Sequence, residues 1–286
     1  MIRRYSIAAL VPILPIILPI AALSSCSGLP LSSQPSPVAQ MQTTTSTEPP
    51  HYDAYAQILK RYVNPKGRVD YQGLQANSQG LKAFNQSLGA VPTSAFQGWS
   101  NADQIAFLIN AYNAFTLQSI IDQQPLKASI RDIPGVWRIR RFAVAGQSKT
   151  LDDIEHGMLR AQYKEPRVHA ALNCTAMSCP PLRIEPYQGD RLDAQLDDQV
   201  RQWLSSPYGL RIDRQQNRVY LSAIFDWFGK DWIPTYGVTQ GFTGNEKQRA
   251  TLNFISRYVS SSDRDYLKQG NYQVSYMDYD WSLNQQ

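Results

Sequence analysis

The stretch RVHAALNCTAMSCPPL, residues 167–182, brings His169, Asn173, Cys174 and Cys179 within eleven positions. Three chemistries use such residues. Two cysteines this close form a disulfide in an oxidising compartment. Over so short a loop the bond removes little chain entropy, so its role is to shape the turn before Pro180 and Pro181. A cysteine whose pKa is lowered by a histidine is instead a nucleophile. Zinc is the third possibility, with Glu155, His156, His169, Cys174 and Cys179 as donors. Their spacing matches neither C-x2-C nor H-E-x-x-H, and the sequence therefore names no metal site.

The thiol reading depends on which histidine reaches Cys174. Read as a buried strand, VHAALNC alternates, with His169, Ala171 and Asn173 on one face and Cys174 on the other. His156 is then the better partner. It lies on a predicted helix with Asp152 at i−4 and Asp153 at i−3, either of which orients its ring or makes a plain surface pair. The catalytic alternative is thus Cys174 with His156 or His169, and Asp152. Other polar residues are candidate pocket members. Asn110 and Asn113 interrupt an apolar run and either pin neighbouring backbone or point into a pocket, since a buried amide must find partners. Asn173 shares the predicted face of His169. Asp226 and Asp231, beside Trp227 and Trp232, form a possible carboxylate pair against aromatic rings, as sugar-cleaving sites use. Asp278 and Asp280 read as turn residues. No Gly-rich phosphate loop and no G-x-S-x-G elbow occurs, and no cofactor is implied.

Helices and hairpins must position these groups. SNADQIAFLINAYNAFTLQSIIDQQP opens on Ser100 and Asp103, a variant capping box, and is apolar nearly all round, which predicts a central buried helix over about 100–122. DAYAQILKRYV sets Tyr55, Ile58, Leu59 and Tyr62 on one helical face, and SQGLKAFNQSLGA does the same with Leu81, Phe84 and Leu88. GRVDY reads as extended. VWRIRRFAVAG reads as a strand, TLDDIEHGMLR as a helix capped by Thr150, and DRLDAQLDDQVRQWL as an amphipathic helix with Leu192, Leu196, Val200 and Trp203 in one stripe. LRIDRQQNRVYLS reads as a hairpin turning at Gln216–Asn217, AIFDWFGKDW as a short aromatic helix, NEKQRATLNFISRYV as the last clear helix and YQVSYMDYDWSLN as a closing strand and tail. This order lacks regular βαβ alternation. It predicts an α+β domain with the central helix on a small, mostly antiparallel sheet.

The first residues speak for the compartment. Arg3 and Arg4 precede VPILPIILPIAAL, an apolar run too short to span a bilayer, and LSSC follows it. This resembles a lipoprotein signal peptide over residues 1–25, with Cys26 as the lipidated first residue of the mature chain. Residues 26–50 are Ser-, Thr-, Pro- and Gln-rich and cannot bury a core, which predicts a flexible tether. Residues 51–286 are long enough for one globular domain. The expected address is the bacterial cell envelope, on its periplasmic or extracellular face, with acyl chains on Cys26 as the membrane contact. Loss of Arg3 and Arg4 takes the formal charge from +5 to +3, too mild for a nucleic-acid partner. The 16 tyrosines and 6 tryptophans suit core packing or a surface for a protein, peptide or glycan ligand.

TLDDIEHGMLR, PRVHAALNCTAMSCPPL, LSAIFDWFGKDW and the terminal YDWSLN resemble the family known as domain of unknown function 547, over about Asp53 to Asn284. The resemblance implies an exported bacterial protein and no particular reaction. Two functions stay open: a ligand- or partner-binding module whose turn is stapled by Cys174–Cys179, and a thiol-dependent hydrolase or transferase on a papain-like plan.

Overall fold

A computed structural model describes residues 48–286; the expectations for the signal peptide, for Cys26 and for most of the tether lie outside the described residues. Three short or medium helices, α1 (Asp53–Tyr62), α2 (Tyr71–Ala76) and α3 (Gln79–Ala90), lead through α4 (Thr93–Gly98) into α5 (Asn101–Ile121). α5 begins where the Ser100 hydroxyl accepts the Asp103 amide at 3.1 Å. It has no polar face, and every residue from Ile105 to Ile121 is buried. Each fully buried Leu, Ile or Phe contributes about 1.5–3 kcal/mol, so this helix is the principal organiser of the first core. α1, α3 and α5 pack together, with Tyr55 stacked on Phe84 at 4.3 Å between ring centres. Among the described residues no helix is long and apolar enough to cross a membrane.

After α5 the chain makes a two-stranded hairpin, β1 (Phe142–Val144) with β2 (Gln147–Lys149), turning at Ala145 and Gly146, both at positive φ. The expected strand VWRIRRFAVAG is therefore only three residues long. A π-wound helix follows, Asp153–Arg160. Its start is a reciprocal cap: Thr150 Oγ1 accepts the Asp153 amide, and the Asp153 carboxylate accepts the Thr150 amide. The second half holds α6 (Val168–Ala171), α7 (Leu192–Ser205), β3 (Leu210–Asp213), β4 (Arg218–Leu221), α8 (Ala223–Trp227), α9 (Ile233–Tyr236), α10 (Glu246–Ile255), α11 (Ser261–Gln269) and β5 (Gln273–Tyr276). β3 and β4 form the expected hairpin, in register Asp213↔Arg218, with Asn217 at φ 49° in the turn. β5 joins β4 in parallel, Val219↔Val274. This small sheet covers a second core of Trp203, Phe225, Trp232 and Phe254. The fold is α+β, as expected.

A helix not expected from sequence, α11, follows α10, and at α6 the expected element type itself fails. Residues 168–171 are helical, not extended. The amides of His169 and Ala170 bond back to Pro166 and Arg167, and no strand lies alongside to receive them. So short an apolar run has no periodicity that separates a strand from one buried helical turn, and two alanines favour the helix. Arg167 fixes the entry to α6 through Glu165, Asp193 and Asp197, all within 2.8 Å.

Candidate functional site

Because 168–171 is a turn of helix, the two-faced strand that separated His169 from Cys174 does not exist. Both residues line one cleft of about 240 Å³ at the seam between the two cores, together with His156. The walls come from far apart in the chain. Tyr112 comes from α5, Trp137 from the loop before β1, Trp227 and Phe228 from the end of α8, and Tyr279 and Trp281 from the tail. The rings support each other: Trp227 lies 4.8 Å from Tyr279 and 5.9 Å from Trp281, while Tyr279 and Trp281 are 4.6 Å apart. Trp137 meets Trp281 edge-on at 6.2 Å. Trp227 keeps 48 % of its surface in solvent, which is unusual for so large an apolar side chain.

The π-wound helix supplies the acidic side. Asp152, Glu155 and His156 face the cleft, whereas Asp153 caps Thr150 instead. Glu155 accepts the Tyr112 hydroxyl at 2.9 Å. Burial first, and the Glu155 charge second, push the Tyr112 and Tyr279 hydroxyls well above the ordinary tyrosine range, so both are neutral donors. His156 Nδ1 lies 2.9 Å from an Arg160 nitrogen, and its Nε2 is 3.9 Å from Asp152. A guanidinium only donates, so Nδ1 is the acceptor in this contact.

His169 is differently held. Its Nε2 meets Asp231 Oδ2 at 2.8 Å, and the ring stacks on Phe228 at 4.6 Å. Arg160 also grips Asp231, at 2.6 and 3.1 Å. Burial works to raise the Asp231 pKa, but the bonds from His169 and Arg160 outweigh it and hold the carboxyl well below the usual range. Asp226 takes no part. It faces Lys247 at 3.3 Å on the surface, so Asp226 and Asp231 are not a carboxylate pair. Trp232 is fully buried in the second core.

Cys174 and Cys179 lie at disulfide-bonding distance, with Cα atoms 6.2 Å apart. The Tyr279 hydroxyl touches both sulfurs, at 3.2 and 3.1 Å, and the Cys174 amide donates to Cys179 Sγ at 3.0 Å. The asparagines sit behind this turn rather than in the cleft. Asn110 brackets the backbone of Tyr187, Asn113 that of Ala171 and Asn173, and Asn173 that of Pro180 and Thr175. Among the described residues no group of three or more His, Cys, Asp or Glu side chains is placed to hold a metal ion.

Of the residues singled out from sequence, the fold brings together Cys174, Cys179, His156, His169 and Asp152 in the cleft, with Asp231 behind His169. It leaves Asn110, Asn113, Asn173 and Asp226 outside. Sequence reasoning missed Tyr112, Trp137, Phe228, Tyr279 and Trp281. The available signal was the clustering of Trp and Tyr at the ends of VWRIRRF, FDWFGKDW and YDWSLN.

Residues 96–204 match the model of the family described as protein of unknown function, DUF547. Over that segment the chain is similar to DUF547. The match is narrower than the resemblance read from sequence, and it contributes Tyr112, Trp137, the acidic side, both cleft histidines and both cysteines. Trp227, Phe228, Tyr279 and Trp281 lie beyond the DUF547 match, so the aromatic half of the cleft is added by the rest of this chain. No curated protein and no solved structure matches the chain.

Proposed function

We propose that this protein is a ligand-binding module of the bacterial envelope, whose aromatic cleft takes one ring or one cationic side chain of a glycan or peptide. The observation that carries the reading is the group Trp227, Tyr279 and Trp281, whose rings contact one another along the cleft wall, with Asp152 and Glu155 lining the same cleft. Ring faces attract apolar sugar faces and cations, a cation over tryptophan being worth about 0.5–2 kcal/mol, and carboxylates accept from hydroxyls or ammonium groups. A cleft of about 240 Å³ admits one such group and not a whole polymer. The test is tryptophan fluorescence of the full chain titrated with amino sugars, oligosaccharides and Lys- or Arg-containing peptides. One class is expected to saturate the signal, and Trp281→Ala is expected to remove the response. A flat titration with every class overturns the reading.

The order charged segment, apolar run, LSSC supports an anchor on Cys26, and the tether composition supports a domain held away from the bilayer. Cys26→Ala is expected to move the protein from the membrane to the soluble fraction of an exporting host. A second reading has one specific observation behind it: His169, oriented by Asp231, shares the cleft with Cys174. With Nε2 engaged, Nδ1 is the nitrogen left to act as a base. A hydrolase or transferase built this way requires the free Cys174 thiolate, so rapid alkylation of Cys174 in the native, isolated protein is its test.

A further inference from the structure

The arrangement around the two sulfurs asks for a use beyond shaping a turn, whether or not the cleft binds a glycan or peptide. Both cysteines line the aromatic cleft, but Cys174 is partly exposed whereas Cys179 is only 5 % exposed. The buried sulfur has one donor more: the Cys174 amide reaches it at 3.0 Å, while the Tyr279 hydroxyl is shared, 3.1 Å from Cys179 and 3.2 Å from Cys174. A sulfur in a closed disulfide needs no such donors, but a thiolate does, because charge-assisted hydrogen bonds are about twice as strong as neutral ones. The cleft also reaches the reactive side. Half-exposed Trp227 and partly exposed Cys174 line it together.

The geometry points to Cys174–Cys179 as a redox-active pair that exchanges with a thiol substrate entering through the cleft, Cys174 being the sulfur attacked and Cys179 the one that leaves. An incoming thiolate, its proton lost to solvent, attacks Cys174 Sγ. The Cys174–Cys179 bond breaks, a mixed disulfide forms between the substrate and Cys174, and Cys179 departs with the electron pair into the bonds from the Cys174 amide and Tyr279. A second substrate thiolate then attacks the substrate sulfur of the mixed disulfide. It releases the substrate as its disulfide and leaves Cys174 as a thiolate. The two cysteine sulfurs take up two protons, so two thiols are oxidised and one protein disulfide is reduced. The leaving group is stabilised in the reduced form, which makes the pair an oxidant. The back of the turn is held by Asn113 and Asn173, so opening the bond need not unfold it.

The test uses the full chain, purified with its disulfide intact, equilibrated natively with glutathione redox buffers, acid-quenched, alkylated and read by intact mass. Native reduction by glutathione with a defined midpoint is expected. Tyr279→Phe is expected to shift the equilibrium about tenfold towards the disulfide, which is about 30 mV for two electrons. Cys179→Ala is expected to accumulate a glutathione mixed disulfide on Cys174, and Cys174→Ala none on the buried Cys179. A bond reduced only after denaturation overturns the proposal. So does a Tyr279→Phe shift under twofold, or equal trapping by the two cysteine variants. Tyr279→Phe removes one oxygen, and the wild-type measurement needs no variant, so a cysteine variant that failed to fold leaves two decisive readings.

Discussion

The turn from Leu172 to Pro181 has two sides built on opposite principles. Behind it, Asn113 and Asn173 have donors and acceptors matched to backbone: Ala171 and Asn173 for one, Pro180 and Thr175 for the other. Asn284 from the tail closes the same network by accepting from Tyr71 and reaching Gly67. In front, the cleft is made of rings in contact with each other, partly open to solvent, with carboxylates and two sulfurs among them. Buried amides with every partner found fix a position. Half-exposed rings with no full cover offer surface to something else. The difference separates what builds this turn from what the turn presents.

The sharpest way to break the comparison is to remove an amide from the back. Asn113→Ala leaves a buried N–H of Asn173 and a buried C=O of Ala171 without partners, at about 1–3 kcal/mol each. Chemical denaturation is expected to show a loss of about 3 kcal/mol, several-fold more than any single ring of the cleft mouth. A loss under 1 kcal/mol, with the turn intact, would place these asparagines on the functional side.

Next is His169, bonded to Asp231, which borders both sides. Asp231→Ala strips His169 and Arg160 of their acceptor and is expected to cost roughly 2 kcal/mol at neutral pH, after allowance for a carboxylate a quarter exposed. The pH dependence carries a sign. The Asp231 pKa is lowered on folding, so its stabilisation is complete above the unfolded value of about 3.9 and fades as the pH falls towards the folded one. Urea midpoints of the wild type are expected to fall below about pH 4 more steeply than those of Asp231→Ala. Parallel curves would show that the pair contributes nothing.

Much of the back was legible in the sequence and little of the front. α5 announced itself through Ser100 and an apolar surface all round, and α7 through the stripe Leu192, Leu196, Val200 and Trp203. These are local signals. VHAALN carried none, since four or five apolar residues fit a strand or a buried turn of helix equally well. α11 was missed because Leu267 is its one buried residue, although Ser260 with Asp263 at the start and Gly270 at positive φ after the end mark its limits. The cleft needs Trp137 beside Trp281, a pairing across 144 positions that no periodicity encodes. For the same reason β5 could be read as a strand but not as one parallel to β4.

A ring at the front gives the converse of the asparagine test. Trp281 packs on Tyr279 and Trp227 and carries Arg131 over its face at 5.2 Å, yet it is not in either core. Trp281→Ala is expected to cost under about 1 kcal/mol of stability while weakening a ring or cationic ligand about tenfold, which is about 1.4 kcal/mol of binding. Calorimetry and denaturation of the same preparation measure both. Stability loss comparable to Asn113→Ala would make the aromatic group a third core.

The smallest effect belongs to Asp226, which sequence reasoning paired with Asp231 and the fold does not. Its carboxylate is half exposed and meets Lys247 at 3.3 Å, an arrangement worth about 0–1 kcal/mol and screened by salt. Asp226→Asn is expected to shift stability by less than about 0.5 kcal/mol and to leave ligand binding unchanged, because Asp226 does not line the cleft. A tenfold loss of binding would show that the ligand extends past Trp227 onto the surface of α8. Adjacent in sequence, Asp226 and Trp227 then differ only in which side of α8 they face, and that orientation, not residue type, decides which of them touches what enters the cleft.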